Sequence, residues 1–215
     1  MKKILLSLGA VLLMAAGAQA QTGYGLKAGV TLPSYSYGSS DNLSDTKSAT
    51  NFYITGYLNA NVSPNFAIQP GISLQGKGAT LVDYKVAGTT YEVNQNTMWI
   101  EVPVNFVGKL PVGGAELQLG AGPYVGFGIS GKNKFDRISG DGDFASTTLN
   151  EFKFGKDETL KGVDFGANIT AGVKLAGGFL INANYGLGLT NIAGDKFPSS
   201  DVKNRVLSFG IGFEF

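Results

Sequence analysis

Apolar and polar residues alternate one by one along much of this chain, the two-residue period that places successive side chains on opposite faces of a β-strand. Counting back from the C-terminus, Phe215, Phe213, Ile211, Phe209 and Leu207 share one face, while Glu214, Gly212, Gly210 and Ser208 share the other. The same beat recurs in Tyr24 to Leu32, Phe52 to Asn61, Phe66 to Gln75, Met98 to Phe106, Glu116 to Ser130, Val163 to Leu175 and Phe179 to Thr190. With the C-terminal segment these make eight strands. Pro70 and Pro123 fall inside two of them, where a missing N–H predicts a bulge or a local bend.

The polar faces decide what the strands build. A soluble sandwich would carry a charged, solvated exterior there. These faces hold mainly Gly, Asn, Ser and Thr with about one charge each, which suits a narrow lumen whose isolated charges pair. In hydrocarbon every unpaired backbone group is costly, so a spanning sheet must close on itself. The expected fold is all-β, a closed eight-stranded antiparallel up-and-down transmembrane β-barrel.

Connection lengths support the same arrangement. Ser63-Pro64-Asn65, Leu110 to Gly114 and Ala176-Gly177-Gly178 are tight turns, and they alternate with long links at Pro33 to Ala49, Leu81 to Gln95, Lys132 to Leu160 and Ile192 to Val202. Outer-membrane barrels combine short periplasmic turns with longer outer loops. Val82 to Val86 and Thr90 to Val93 alternate around Ala87-Gly88-Thr89, which predicts that one hairpin continues above the membrane. In the largest link, Ser139 to Asp143 reads as the tip. Its Asp141-Gly142-Asp143 lacks the rest of a calcium-loop pattern, so a solvated turn is the better reading and no metal is expected.

The N-terminus is expected to be removed. Lys2 and Lys3 precede an apolar run from Ile4 to Ala16, and Ala18-Gln19-Ala20 is a small-x-small cleavage site. Residues 1–20 thus read as a cleaved signal peptide and residues 21–215 as the barrel domain. The location implied is the outer membrane of a Gram-negative cell after export.

Composition then narrows the chemistry. Charged residues make up only 15%, Gly numbers 32, and Phe and Tyr number 14 and 9. With the signal removed, 16 acidic residues slightly outnumber the remaining basic ones, so no concentrated basic face for nucleic acid is expected. Cysteine and histidine are both absent. Disulfides, thiolate metal sites and histidine-dependent catalytic triads are therefore excluded, and neither enzyme activity nor a cofactor is expected.

Strand parity sends Lys27, Glu101, Glu116, Asp164, Lys174 and Glu214 to the inside, where they are expected to form a lumen charge network rather than a catalytic site. Tyr53, Tyr57, Trp99 and Tyr124 also point inward as filling, while Tyr24 and Tyr185 face lipid at the membrane interfaces. About eight strands leave width only for side chains, so the lumen is expected to be filled.

Two stretches carry a family likeness. Trp99-Ile100-Glu101-Val102-Pro103-Val104-Asn105-Phe106 followed by Gly120-Ala121-Gly122-Pro123-Tyr124-Val125-Gly126 resembles the PorT-like outer-membrane β-barrel family, as does Asn184 to Ile192 with the terminal Phe213-Glu214-Phe215. The resemblance runs over essentially all of residues 21–215. It implies insertion by the barrel-assembly machinery reading a C-terminal signal, here Phe209, Ile211, Phe213 and Phe215, and it brings no catalytic residues with it.

The function expected is that of a structural anchor or surface-interaction protein, acting through long extracellular loops. Its partners would be outer-membrane lipid and lipopolysaccharide, the barrel-assembly machinery during insertion, and a protein or surface outside the cell. The alternative is a small pore or transport protein of the same membrane.

Overall fold

The computed structural model describes residues 22–38, 46–86, 88–138, 144–196 and 201–215. The signal-peptide segment and the Ser139 to Asp143 tip lie outside the described residues. The strands are β1 (Thr22–Tyr37), β2 (Asn51–Ser63), β3 (Phe66–Val86), β4 (Thr89–Val112), β5 (Ala115–Ile138), β6 (Phe144–Phe152), β7 (Val163–Leu175), β8 (Phe179–Gly188) and β9 (Val202–Glu214). All pair antiparallel, in the order β4-β3-β2-β1-β9-β8-β7-β5, and β4 also pairs with β5. Eight strands therefore form a closed ring, the expected barrel. The first and last strands meet along their length, from Gly25 opposite Glu214 to Tyr37 opposite Val202.

The sidedness follows the alternation. Phe209, Ile211 and Phe213 are 47%, 57% and 39% exposed, while Ser208 and Glu214 between and beside them are buried. Leu26, Val30, Phe52, Ile54, Ile72, Phe127, Ile169 and Ile181 are likewise exposed around the wall. A belt of this extent is stable only against lipid. The interior takes Trp99, Tyr53, Tyr57 and Tyr124, all buried, and Tyr24 and Tyr185 lie outside.

The abundance of glycine has a steric reason inside the barrel. A Cβ at Gly25 would overlap the Tyr57 ring, and one at Gly166 would overlap the Tyr124 ring. Glycine opposite an inward tyrosine lets an aromatic ring lie across a lumen too narrow for two side chains.

Three features depart from the expected strand map. Inside the Lys132 to Leu160 link, β5 continues to Ile138 and β6 returns beside it, from Phe144 opposite Ile138 to Phe152 opposite Gly131. The strong period-two signal of the belt is weaker there, since neither face meets lipid. The second departure concerns the prolines. The register runs unshifted past Pro70 and Pro123, and the shifts fall instead at Asn61/Ser63, Thr80/Val82, Met98/Trp99 and Asn133/Lys134. Each proline is accommodated by the ladder without adding a residue. The third is length. β3 runs to Val86, well past Gln75, and pairs with β4 down to Val86 opposite Thr89, which forms the expected raised hairpin around Gly88 at φ 82°. Short turns occupy the other end of the barrel, where Gly113 and Gly177 adopt φ 60° and 86°.

Candidate functional site

The interior is layered along the barrel axis. Near the long-loop end the centre is Lys77, fully enclosed. Its Nζ donates to Asp164 Oδ2 at 2.8 Å and pairs with Glu101 Oε1 at 2.5 Å. The same ammonium lies 4.6 Å from the centroid of Tyr124 and 5.2 Å from that of Trp99. Asp164 also accepts from Tyr124 Oη at 3.1 Å, from Asn204 Nδ2 at 2.8 Å and, through Oδ1, from Thr190 Oγ1 at 3.1 Å. These residues come from β3, β4, β5, β7 and β9, so one lysine ties the ring together across its bore. A buried charge survives only when paired and hydrogen-bonded; here one ammonium serves two carboxylates, Asp164 takes the further donors, and Asn204 Oδ1 is left without a partner among the described residues.

Lys77 was not among the residues that alternation selected. Gly76 and Gly78 flank it and resemble a strand end, but parity carried forward from Gln69, Gly71, Ser73 and Gln75 would have sent it inward.

Near the short-turn end lies a second layer. Lys174 Nζ reaches Glu116 Oε1 at 3.0 Å and Glu214 Oε2 at 3.1 Å. Gln118 Nε2 donates to Glu116 Oε1 at 2.9 Å, and Tyr57 Oη donates to Glu214 Oε1 at 2.8 Å. Of the six interior charges expected from the sequence, Glu116, Lys174 and Glu214 thus meet here, and Glu101 and Asp164 meet at Lys77. Lys27 corrects the expected pairing. It sits opposite Gly212, its Nζ lies 4.3 Å from the Tyr57 ring centroid, and it forms no ion pair among the described residues. Tyr57, lying between the two, takes the Glu214 carboxylate with its own hydroxyl.

Between the layers is a cavity of about 50 Å³, lined by Lys27, Tyr53, Ser73, Asn105, Asn184 and Ser208 among others. Below the second layer, the barrel opens at its short-turn mouth into a vestibule of about 1110 Å³.

Above the Lys77 layer, the mouth carries an apolar cluster of Tyr35, Ala79, Trp99, Leu160, Ile192, Ala193 and Val202, with Phe152 and Phe154 packed against it. Trp99 and Phe154 meet edge to face at 4.9 Å. Backbone bonds hold the loop segments in place, Lys161 N to Ile192 O at 2.8 Å and Gly194 N to Thr159 O at 3.0 Å. Parts of two long links therefore lie folded over the barrel mouth, a position that loop composition alone does not reveal.

Beyond this cluster, β3, β4, β5 and β6 continue as a four-stranded sheet past the apolar belt. Its one face aligns Tyr91 with Phe135, their rings 5.9 Å apart. The other carries Glu92, Asn94, Lys134 and Asp136, where Asn94 Nδ2 donates to Asp136 Oδ2 at 2.8 Å. β6 forms the border of this sheet, since among the described strands it pairs with β5 alone.

The family profile of the outer membrane protein beta-barrel domain matches residues 4–215. The chain belongs to this family. As a member of the outer membrane protein beta-barrel domain family it is a transmembrane barrel of the outer membrane, and the exposed apolar belt is its lipid contact. No curated protein matches the chain significantly. Among solved structures, Ail, the attachment invasion locus protein of Yersinia pestis, is 13% identical with a TM-score of 0.46, covering 91% of this chain and 99% of that one. Neisserial surface protein A is also 13% identical, with a TM-score of 0.45 and the same coverages. CarO of Acinetobacter baumannii is 14% identical at a TM-score of 0.41, covering 87% and 97%.

Proposed function

We propose that this outer-membrane barrel is an anchor that holds a surface-interaction sheet outside the cell, with a lumen filled against solute passage. The observation that carries the reading is the four-stranded extension of β3 to β6, which stands beyond the lipid belt and is bordered by β6, a strand that pairs with β5 alone among the described strands. A strand at a sheet border offers its outer backbone groups to an extended segment of a partner protein or surface. Lipid and lipopolysaccharide surround the wall below it. Two observations support a closed lumen, the ring-spanning contacts of Lys77 and the apolar cluster above them.

In this reading the long links face outward and the short turns face the periplasm. The chain is exported through a signal peptide cleaved after Ala20. The assembly machinery recognises Phe209, Ile211, Phe213 and Phe215, all of which remain on the lipid side. Within its family the chain sits with the PorT-like barrels on the Trp99 to Phe106 and Gly120 to Gly126 stretches, and it has no catalytic role.

Two experiments test these points. The chain lacks cysteine, so Ser146→Cys and Ser63→Cys each give a single thiol. A membrane-impermeant maleimide added to intact cells is expected to label Ser146→Cys, and to reach Ser63→Cys only after the outer membrane is permeabilised. The reverse result would invert the topology. In planar bilayers the purified barrel is expected to give no stable conductance steps. Steps that persist would favour the alternative, a small pore.

A further inference from the structure

We infer that the outer wall over β7, β8 and β9 carries, at its long-loop border, a docking site for the headgroup of a phosphorylated lipid, built from Lys161, Lys203 and Arg205. In β9 the buried Val202, Asn204 and Val206 turn inward, so Lys203 and Arg205 share the outer face with Leu207 and Phe209. Arg205 lies opposite Leu187 of β8 and Ser34 of β1. Its Nη1 donates to Gly188 O at 2.7 Å and to Asn204 O at 2.9 Å. Those bonds engage one nitrogen of the fork against the wall and leave Nε and Nη2 for another acceptor. Lys161 precedes β7, next to Leu160 of the mouth cluster, and its Nζ donates to Asn191 O at 3.4 Å. Asn191 in turn accepts the Val202 N–H through Oδ1 at 3.0 Å, so one residue joins the lysine to the start of β9.

Position and charge together point to a lipid. Val163, Phe165, Leu189, Leu207 and Phe209, all exposed, lie along the same strands, so the three cations stand where the apolar belt ends. At the short-turn border of the wall, the exposed Tyr24, Val62, Leu110, Val112, Leu175 and Phe215 carry no charge. Among the described residues, Asp201, 3.3 Å from Lys203, is the one carboxylate within ion-pair distance of the three cations. The patch therefore holds two positive charges in excess. On the β4 and β5 side the same border is balanced, since Lys132 pairs with Glu151, and Lys134 shares a cleft with Glu92 and Asp136. Lys156, Asp157, Glu158, Asp195 and Lys196 lie beyond the patch, in the links over the mouth. Acyl chains resting on Phe165, Leu189 and Leu207 would bring a headgroup phosphate level with the cations, and a guanidinium can grip two phosphate oxygens at once. The occupant is the lipid A part of lipopolysaccharide, a lipid with phosphate on its headgroup sugars. Its place in the outer leaflet rests on the orientation proposed above.

The test is an NMR titration of the folded barrel in phosphatidylcholine nanodiscs that contain increasing amounts of bisphosphorylated lipid A. Saturable shifts are expected at the amides of Leu189, Asn191, Lys203 and Arg205. Lipid A stripped of its phosphates should give none, and neither should sodium phosphate added to plain phosphatidylcholine nanodiscs. Lys161→Gln and Arg205→Gln should each weaken the apparent affinity about fivefold. Lys132→Gln, from the balanced side, should leave it unchanged. Absence of saturation, an equal response to the stripped lipid or to free phosphate, or an equal loss in Lys132→Gln would overturn the site. Should Arg205→Gln fail to fold, Lys161→Gln and Lys203→Gln decide. Thiol labelling of cells reads the orientation separately, so a failed titration and an inverted topology are told apart.

Discussion

At the scale of single residues, the interior is governed by the cost of burying charge. Lys77→Met leaves Glu101 and Asp164 enclosed without their cation, and is expected to destabilise the barrel by ~3–5 kcal/mol. Adding Glu101→Gln and Asp164→Asn to that variant should restore most of the loss, because the triple variant buries no charge in this layer. Urea unfolding from lipid vesicles measures both, and a single variant as stable as the parent would contradict the assignment. Gly25→Val tests the steric pairing with Tyr57, with an expected cost of ~1–3 kcal/mol from forcing the ring off its position. The exposed Lys132–Glu151 pair, at 2.8 Å, makes the contrast. Lys132→Ala should change stability by less than about 1 kcal/mol, since solvent screens it. Parity in the sequence was enough to turn Glu101, Asp164 and Glu214 inward. It did not reveal which groups meet, because Tyr57 and Glu214 are 157 residues apart and touch only through the closure of the ring.

At the scale of elements, the lipid belt made the spanning parts of the strands readable. Every second residue of β9 from Leu207 to Phe215 is exposed, as alternation requires. A charge placed on that face should be expensive. Ile211→Arg is expected to cost ~2–4 kcal/mol if Ile211 lies near the midplane, and to lower the folded yield from urea into vesicles. Signal weakens where the belt ends. Above the belt the alternation survives in Val82 to Val86 and Thr90 to Val93, which is why the β3–β4 hairpin was legible, but the upper part of β5 and all of β6 lack a lipid face and carry no such rhythm. That is why β6 reads as loop and why Lys77 lies just past the segment that the rhythm delimits. The prolines were misleading for a related reason. A missing N–H weakens one ladder bond, and a ring closed by many others keeps its register.

At the scale of the whole molecule, closure fixes most behaviour. The ring from β1 through β9 leaves no open edge within the belt, so the folded barrel should resist sodium dodecyl sulfate at room temperature and migrate differently on a gel after boiling. Identical mobility before and after heating would argue against a closed sheet. The apolar cluster at the long-loop mouth adds an ordering in time. It draws Tyr35, Ala79, Trp99, Leu160, Ile192 and Val202 from segments spread over most of the chain, so it can assemble only after every hairpin has crossed the bilayer. Trp99 is the sole tryptophan and is 0% exposed at the centre of this cluster. Its indole is consequently a built-in reporter of finished insertion: emission should shift to the blue, and acrylamide quenching should fade, only at the last kinetic phase of folding into vesicles.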